Sequence, residues 1–171
     1  MSENSIKIVR YFLGLYFLIG GLISLYFVLT TLGVLGFLYS LIPATITVIV
    51  IFFFILSGYK YAFSTSNSGA IMMKVSLWIQ TIQLVLLGFS FKNYFGPYLA
   101  VGFTDTPDIK LRILIKPIDS FFSNGLNKLS DEVSIVFNLL AIVLLILVYG
   151  IEKEEKKLAS EIHKIDIETE R

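Results

Sequence analysis

Few side chains in this chain could do covalent chemistry. It has one histidine and no cysteine among 171 residues, so thiolate nucleophiles, disulfides, haem attachment and cysteine-based zinc or redox sites are excluded together. The histidine, His163, lies in a charged C-terminal segment between Ile162 and Lys164 and reads as a solvated helix residue. Hydrolysis in a membrane needs a nucleophile with a base or a metal in reach, and the long apolar segments contain no His, Cys, Asp or Glu. A non-enzymatic protein with no cofactor and no metal site is expected.

The apolar segments do carry amides and hydroxyls at regular spacing. Ser76, Gln80, Gln83 and Ser90 share one face of a helix, and Ser134, Asn138 and Ala141 share one face of another. Such groups are costly in hydrocarbon unless they find partners, so both faces should point at protein or water. Two readings stay open: hydrogen bonding between helices, and the lining of a pore or small-molecule passage. Against a pore stands the lack of any Asp, Glu, Lys, Arg or His in these segments, where ion pathways usually have one.

Gly14, Gly20, Gly21 and Ser24 would let another helix approach closely, either within the chain or between copies. Tyr94, Phe95, Tyr98 and Phe103 lie near Lys110 and Arg112. They form either an interfacial aromatic belt or a surface that recognises an external ligand or partner. In the tail, Leu158, Ile162 and Ile165 follow at helical spacing as a narrow apolar stripe suited to docking a cytoplasmic protein.

These residues need elements to hold them. No charge occurs from Tyr11 to Tyr59, from Val75 to Phe91 or from Val133 to Ile151, and about twenty apolar residues suffice to cross a bilayer. Hydrophobic residues make up 56% of the chain, with mean hydropathy +0.80, more than one soluble core of this size would hold. The expectation is an all-α integral membrane protein with four transmembrane helices, near 9–31, 42–62, 70–91 and 131–151. Gly33, Gly36 and Pro43 divide the first two helices. Ser130, Asp131 and Glu132 read as the N-cap and acidic first turn of the fourth.

Between the third and fourth helices, 92–130 reads as an extracytoplasmic insert. Ile109, Leu111, Ile113 and Ile115 alternate with Lys110, Arg112 and Lys116, the period of a half-buried strand ending at Pro117. Tyr98–Thr104 would pair with it as a β-hairpin through Asp105–Asp108, and Asp119–Leu129 reads as a short amphipathic helix. Residues 152–171 read as a cytoplasmic helical tail.

Lys7, Arg10, Lys60, Lys74, Lys153, Lys156 and Lys157 all fall on one side of this plan, which the positive-inside rule makes cytoplasmic for both termini. The net charge of +1 comes from 14 basic and 13 acidic residues, so no nucleic-acid footprint is expected. A retained first helix fits better than a cleaved leader, since the apolar run has full spanning length and no small-residue cleavage pattern.

The plan of four spans, an external insert before the last helix and a charged cytoplasmic tail resembles the small four-span subunits of bacterial antiphage defence systems, such as the membrane component of Kiwa. That resemblance implies a homo-oligomer of the bacterial inner membrane that senses a disturbance and engages a cytoplasmic effector. The residues themselves lead to a similar expectation: a membrane subunit with the lipid bilayer, further copies of itself and a cytoplasmic protein as partners. An oligomeric pore lined by the polar faces, and an assembly factor for a larger membrane complex, are the alternatives.

Overall fold

The computed structural model describes the backbone of residues 2–35, 41–64, 67–86, 89–105, 109–126 and 133–169, and the side chains of 2–30, 45–64, 67–86, 90–95, 98–105, 109–116 and 133–161. Three helices lead: α1 (Glu3–Leu35), α2 (Leu41–Phe63) and α3 (Asn67–Thr81). Four strands follow, β1 (Ile82–Leu86), β2 (Phe89–Asp105), β3 (Ile109–Leu126) and β4 (Val133–Asn138), and α4 (Leu139–Thr169) closes the chain.

The expected all-α architecture of four spanning helices is therefore corrected. Among the described residues, two helices are long and apolar enough to cross a membrane: Glu3–Thr30, with 28 residues at mean hydropathy 2.2, and Thr45–Phe63, with 19 at 1.9. The stretches expected to be the third and fourth spans are each divided. One leaves the helix at Thr81 for a strand, and the other is a strand until Asn138. Ile82, Val85, Val133, Ile135 and Val136 are β-branched, which favours a pleated backbone once a partner strand is at hand. Each segment supplies the other's partner, since Ile82 pairs with Phe137 and Val85 with Ser134.

The expected pairing of Tyr98–Thr104 with the strand from Ile109 is present, but as part of a larger element, a four-stranded antiparallel sheet in the order β1-β4-β2-β3. The start of β2 also pairs with β1, from Phe89 opposite Leu86 to Phe91 opposite Leu84, while Ala100–Asp105 pair with β4. The long β2–β3 ribbon makes this double use possible by changing register: Gly96 faces Asp119 and Tyr98 faces Lys116. Pro97 on one strand thus opposes Pro117 and Ile118 on the other. Proline has no N–H to give a ladder, so both prolines lie where the ladder is already interrupted. Contrary to expectation, Pro117 does not end the strand, and β3 runs to Leu126 through residues expected to form a short helix. The expected cap and first turn at 130–132 and the turn at 106–108 lie outside the described residues.

The four helices share a core that includes Leu13, Phe17, Phe54, Met73, Leu77, Leu145 and Val148. At the closest approach of α1 and α2, Gly14 meets Gly58: a Cβ on Gly14 would lie 2.7 Å from the Gly58 oxygen, and one on Gly58 would lie 2.6 Å from the Gly14 oxygen. Neither site has room for a side chain. A separate small cluster of Tyr94, Tyr98, Ala100 and Val136, with Leu114 against it, forms the core of the sheet.

Candidate functional site

The two faces of the sheet differ in chemistry. Register sets Leu99, Val101 and Phe103 beside Ile115, Ile113 and Leu111 on β3, and beside Phe137 and Ile135 on β4. This face is apolar and open, with Ile109, Leu111, Ile113 and Ile115 exposed by 60 to 75%. The alternate residues point the other way, where they enclose a cavity of about 220 Å³.

Gln83 from β1, Tyr98 and Thr104 from β2 and Ser134 from β4 line that cavity, and all four are no more than 4% exposed. Lys92, Arg112 and Lys116 line it as well, with Arg112 and Lys116 exposed and Lys92 half-buried. Polar groups thus form its floor and cations its rim. The Tyr98 hydroxyl donates to Gln83 Oε1 at 2.8 Å, and the Tyr94 and Tyr98 rings stack with centroids 4.1 Å apart. Gln83 Nε2 is buried and has no hydrogen-bond partner among the described residues. A buried donor left this way costs about 1–3 kcal/mol.

The other polar residues singled out in the sequence are placed differently. Ser76 donates to Ser57 Oγ of α2 at 2.9 Å, a helix-to-helix bond inside one chain. Gln80 is 3% exposed, and its Nε2 is likewise unpartnered among the described residues. Ser90 stands opposite Val85 on β1, away from the cavity lining. Asn138, the last residue of β4, caps α4: its Oδ1 accepts from the Ala141 N–H at 3.3 Å, which satisfies one orphan donor of the first turn.

The glycines of α1 face this chain's own elements. A Cβ on Gly14 would meet Ala62 and Gly58, one on Gly21 would meet Ile55, and one on Gly20 would run into the Phe95 ring of β2. Ser24 donates back to the Gly20 oxygen at 2.7 Å. Phe95 is 1% exposed and joins sheet to bundle, with Phe17 edge-on at 5.1 Å and the Tyr16 hydroxyl donating to its carbonyl at 3.0 Å. Of the expected external recognition set, Tyr94, Phe95 and Tyr98 are buried, Phe103 lies on the apolar face, and Lys110 is exposed without lining the cavity.

At the opposite end of the bundle, charged groups tie the helices together. Arg10 donates to the carbonyls of Tyr61 at 3.1 Å and Ser64 at 2.8 Å, and to Glu155 at 2.8 Å. It thereby joins α1, the open carbonyl end of α2 and α4. Lys74 of α3 reaches Glu152 at 2.8 Å, and Lys156 reaches the other oxygen of that carboxylate at 3.0 Å. The hydrogen bond from Lys74, then that from Lys156, hold the Glu152 carboxyl below its ordinary value, outweighing a smaller upward push from desolvation. Leu158, expected to await a partner, packs against the helix core. The side chains of Ile162 and Ile165 lie outside the described residues.

No motif signalled the clamp, since Arg10 and Glu155 are 145 residues apart. The cavity had a partial signal in the alternation of Lys110, Arg112 and Lys116 along one strand face. Compared with protein families, curated proteins and solved structures, the chain matches none. Among the described residues its fold and site define a class by themselves: two long apolar helices, a short third helix, a long fourth helix that ends in a charged segment, and a sheet that holds a cation-rimmed cavity.

Proposed function

We propose that this chain is a non-enzymatic membrane subunit that passes a state of its sheet to a cytoplasmic protein held at the C-terminal end of α4. In this reading α1 and α2 anchor it in the inner membrane of a bacterium. Both termini lie in the cytoplasm, because Lys7, Arg10, Lys60 and Lys74 gather at the same end as the basic start of the tail. The observation that carries the reading is the direct passage of β4 into α4. Ser134 and Val136 line the cavity, Asn138 caps the helix, and the same helix then meets Lys74 and Arg10 and leaves as a charged rod. A change at the cavity has a short, stiff route to the tail.

Self-association through the sheet fits the open apolar face, whose large side chains are exposed by 39 to 75%. Together they offer on the order of 800 Å², which is what one partner brings to a standard interface. A pore is less well supported, because Ser76, Gln80 and Gln83 are at most 3% exposed within a single chain.

The test removes 159–171, which leaves Glu152, Glu155 and Leu158 in place. A soluble protein that co-purifies stoichiometrically with the full chain should be lost, while the truncated chain extracts from membranes as before. Retention of that protein would refute docking at the tail.

A further inference from the structure

We propose that the cavity on the polar face of the sheet binds a small anion through a phosphoryl group. This deepens the sensing role proposed above by naming the chemistry that the sheet would respond to.

The argument begins with what the cavity offers. Gln83 lines its floor; the amide oxygen is occupied by the Tyr98 hydroxyl, and the buried Nε2 has no partner among the described residues. An amide that is 3% exposed and lines a cavity with its N–H protons unused is a donor that lacks only an acceptor. Ser134 adds a hydroxyl-bearing residue to the same lining. Three cations complete the lining, and no described residue lining the cavity is acidic. Neither Lys92 nor Arg112 forms an ion pair among the described residues. The site therefore presents donors and positive charge and calls for a ligand rich in acceptors and negatively charged.

A phosphoryl group meets that demand better than a carboxylate. It has three terminal oxygens to meet donors converging from the floor and the rim. Arg112 offers the planar fork that binds two phosphate oxygens at once, and Lys92 adds a point charge. Size narrows the choice further. At about 220 Å³ the cavity is below the usual range for drug-sized ligands, so it suits a phosphate head group or a free small phosphate better than a whole nucleotide. The apolar opposite face of the same sheet brings lipid within reach as one source of that group, and the aqueous phase is the other.

The experiment uses the purified full chain in nanodiscs. Three probes are compared: inorganic phosphate over phosphatidylcholine, sodium chloride at matched ionic strength, and discs containing phosphatidic acid. Saturable binding or a raised thermal midpoint with inorganic phosphate, but not with chloride, supports a free phosphate ligand. The same rise with phosphatidic acid alone supports a lipid head group. In either case Arg112→Gln, which alters an exposed side chain and should leave the circular dichroism unchanged, should weaken the response at least about tenfold. Gln83→Glu, which sets a carboxylate on the floor, should abolish it. If neither phosphate source acts, or if Arg112→Gln and Lys92→Gln leave the response unaltered, the proposal is overturned. The measurement involves no cytoplasmic partner, so its failure would leave docking at the tail standing, and failure of the truncation test would leave the phosphate site standing.

Discussion

Glu152 shows how one side chain can govern the junction between bundle and tail. It is 16% exposed at the side chain and accepts from Lys74 and Lys156, so α3 and α4 are held by a carboxylate with both oxygens in use. Its folded value lies below the ordinary 4.5, and the sign of the pH effect follows. The stabilisation is complete above the unfolded value and is lost as pH falls through the folded one. We expect the thermal midpoint of the purified chain to drop as the pH falls below about 5, and Glu152→Gln to lower it at neutral pH while flattening that acid limb. An acid limb identical in wild type and variant would show that Glu152 is not the group responsible. At this scale the sequence was only partly legible. The Glu152 and Lys156 pair is visible from its spacing of four, whereas Lys74 meets Glu152 only after the bundle forms. Phe95 is a similar case, since nothing local marks it as the aromatic that lies against Gly20.

Among the elements, the two segments expected to be the third and fourth spans were misassigned for one physical reason. Ser134 and Asn138 are four residues apart, and a separation of four puts two residues on one face of a helix and equally on one face of a strand. The segments around them are apolar on both sides, so neither period stands out and length alone favoured a span. What decides for strands is the pairing of Ile82–Val85 with Ser134–Phe137, a long-range fact. By contrast, the alternation of Ile109 to Ile115 with basic residues has no helical equivalent and did point to a strand. The boundary between β4 and α4 rests on Asn138, whose cap replaces the one expected at Ser130. Asn138→Ala should cost about 1 kcal/mol of stability, read as a lower midpoint with faster amide exchange at Leu139 to Ile142. Unchanged exchange there would mean that the side chain does not set the start of the helix. Asn138→Asp restores the acceptor and should recover most of the loss.

For the whole molecule, the unusual property is the orientation of the sheet. Its polar residues surround a cavity, while its apolar residues face outward on the same side as neither helix core nor cavity. The outward pattern resembles that of a sheet meant to be covered. The likeness to four-span defence subunits rested on a plan that the strands replace, so it lends no support to the cover. Size does lend support, because the face is as large as one side of a standard dimer. If a second copy covers it, a charge at its centre is buried without a partner and association should weaken severely, by about 3 kcal/mol or roughly a hundredfold. Ile113→Lys is the suitable change, since Ile113 is 67% exposed in the single chain and its replacement strains nothing within it. Native mass spectrometry from nanodiscs should then show the wild type as an oligomer and the variant as a monomer. If lipid covers the face instead, the mass is the same for both and the variant is extracted from membranes in lower yield. The two outcomes separate because a copy is counted by mass and a bilayer is not, and the first would place two phosphate cavities back to back across the interface.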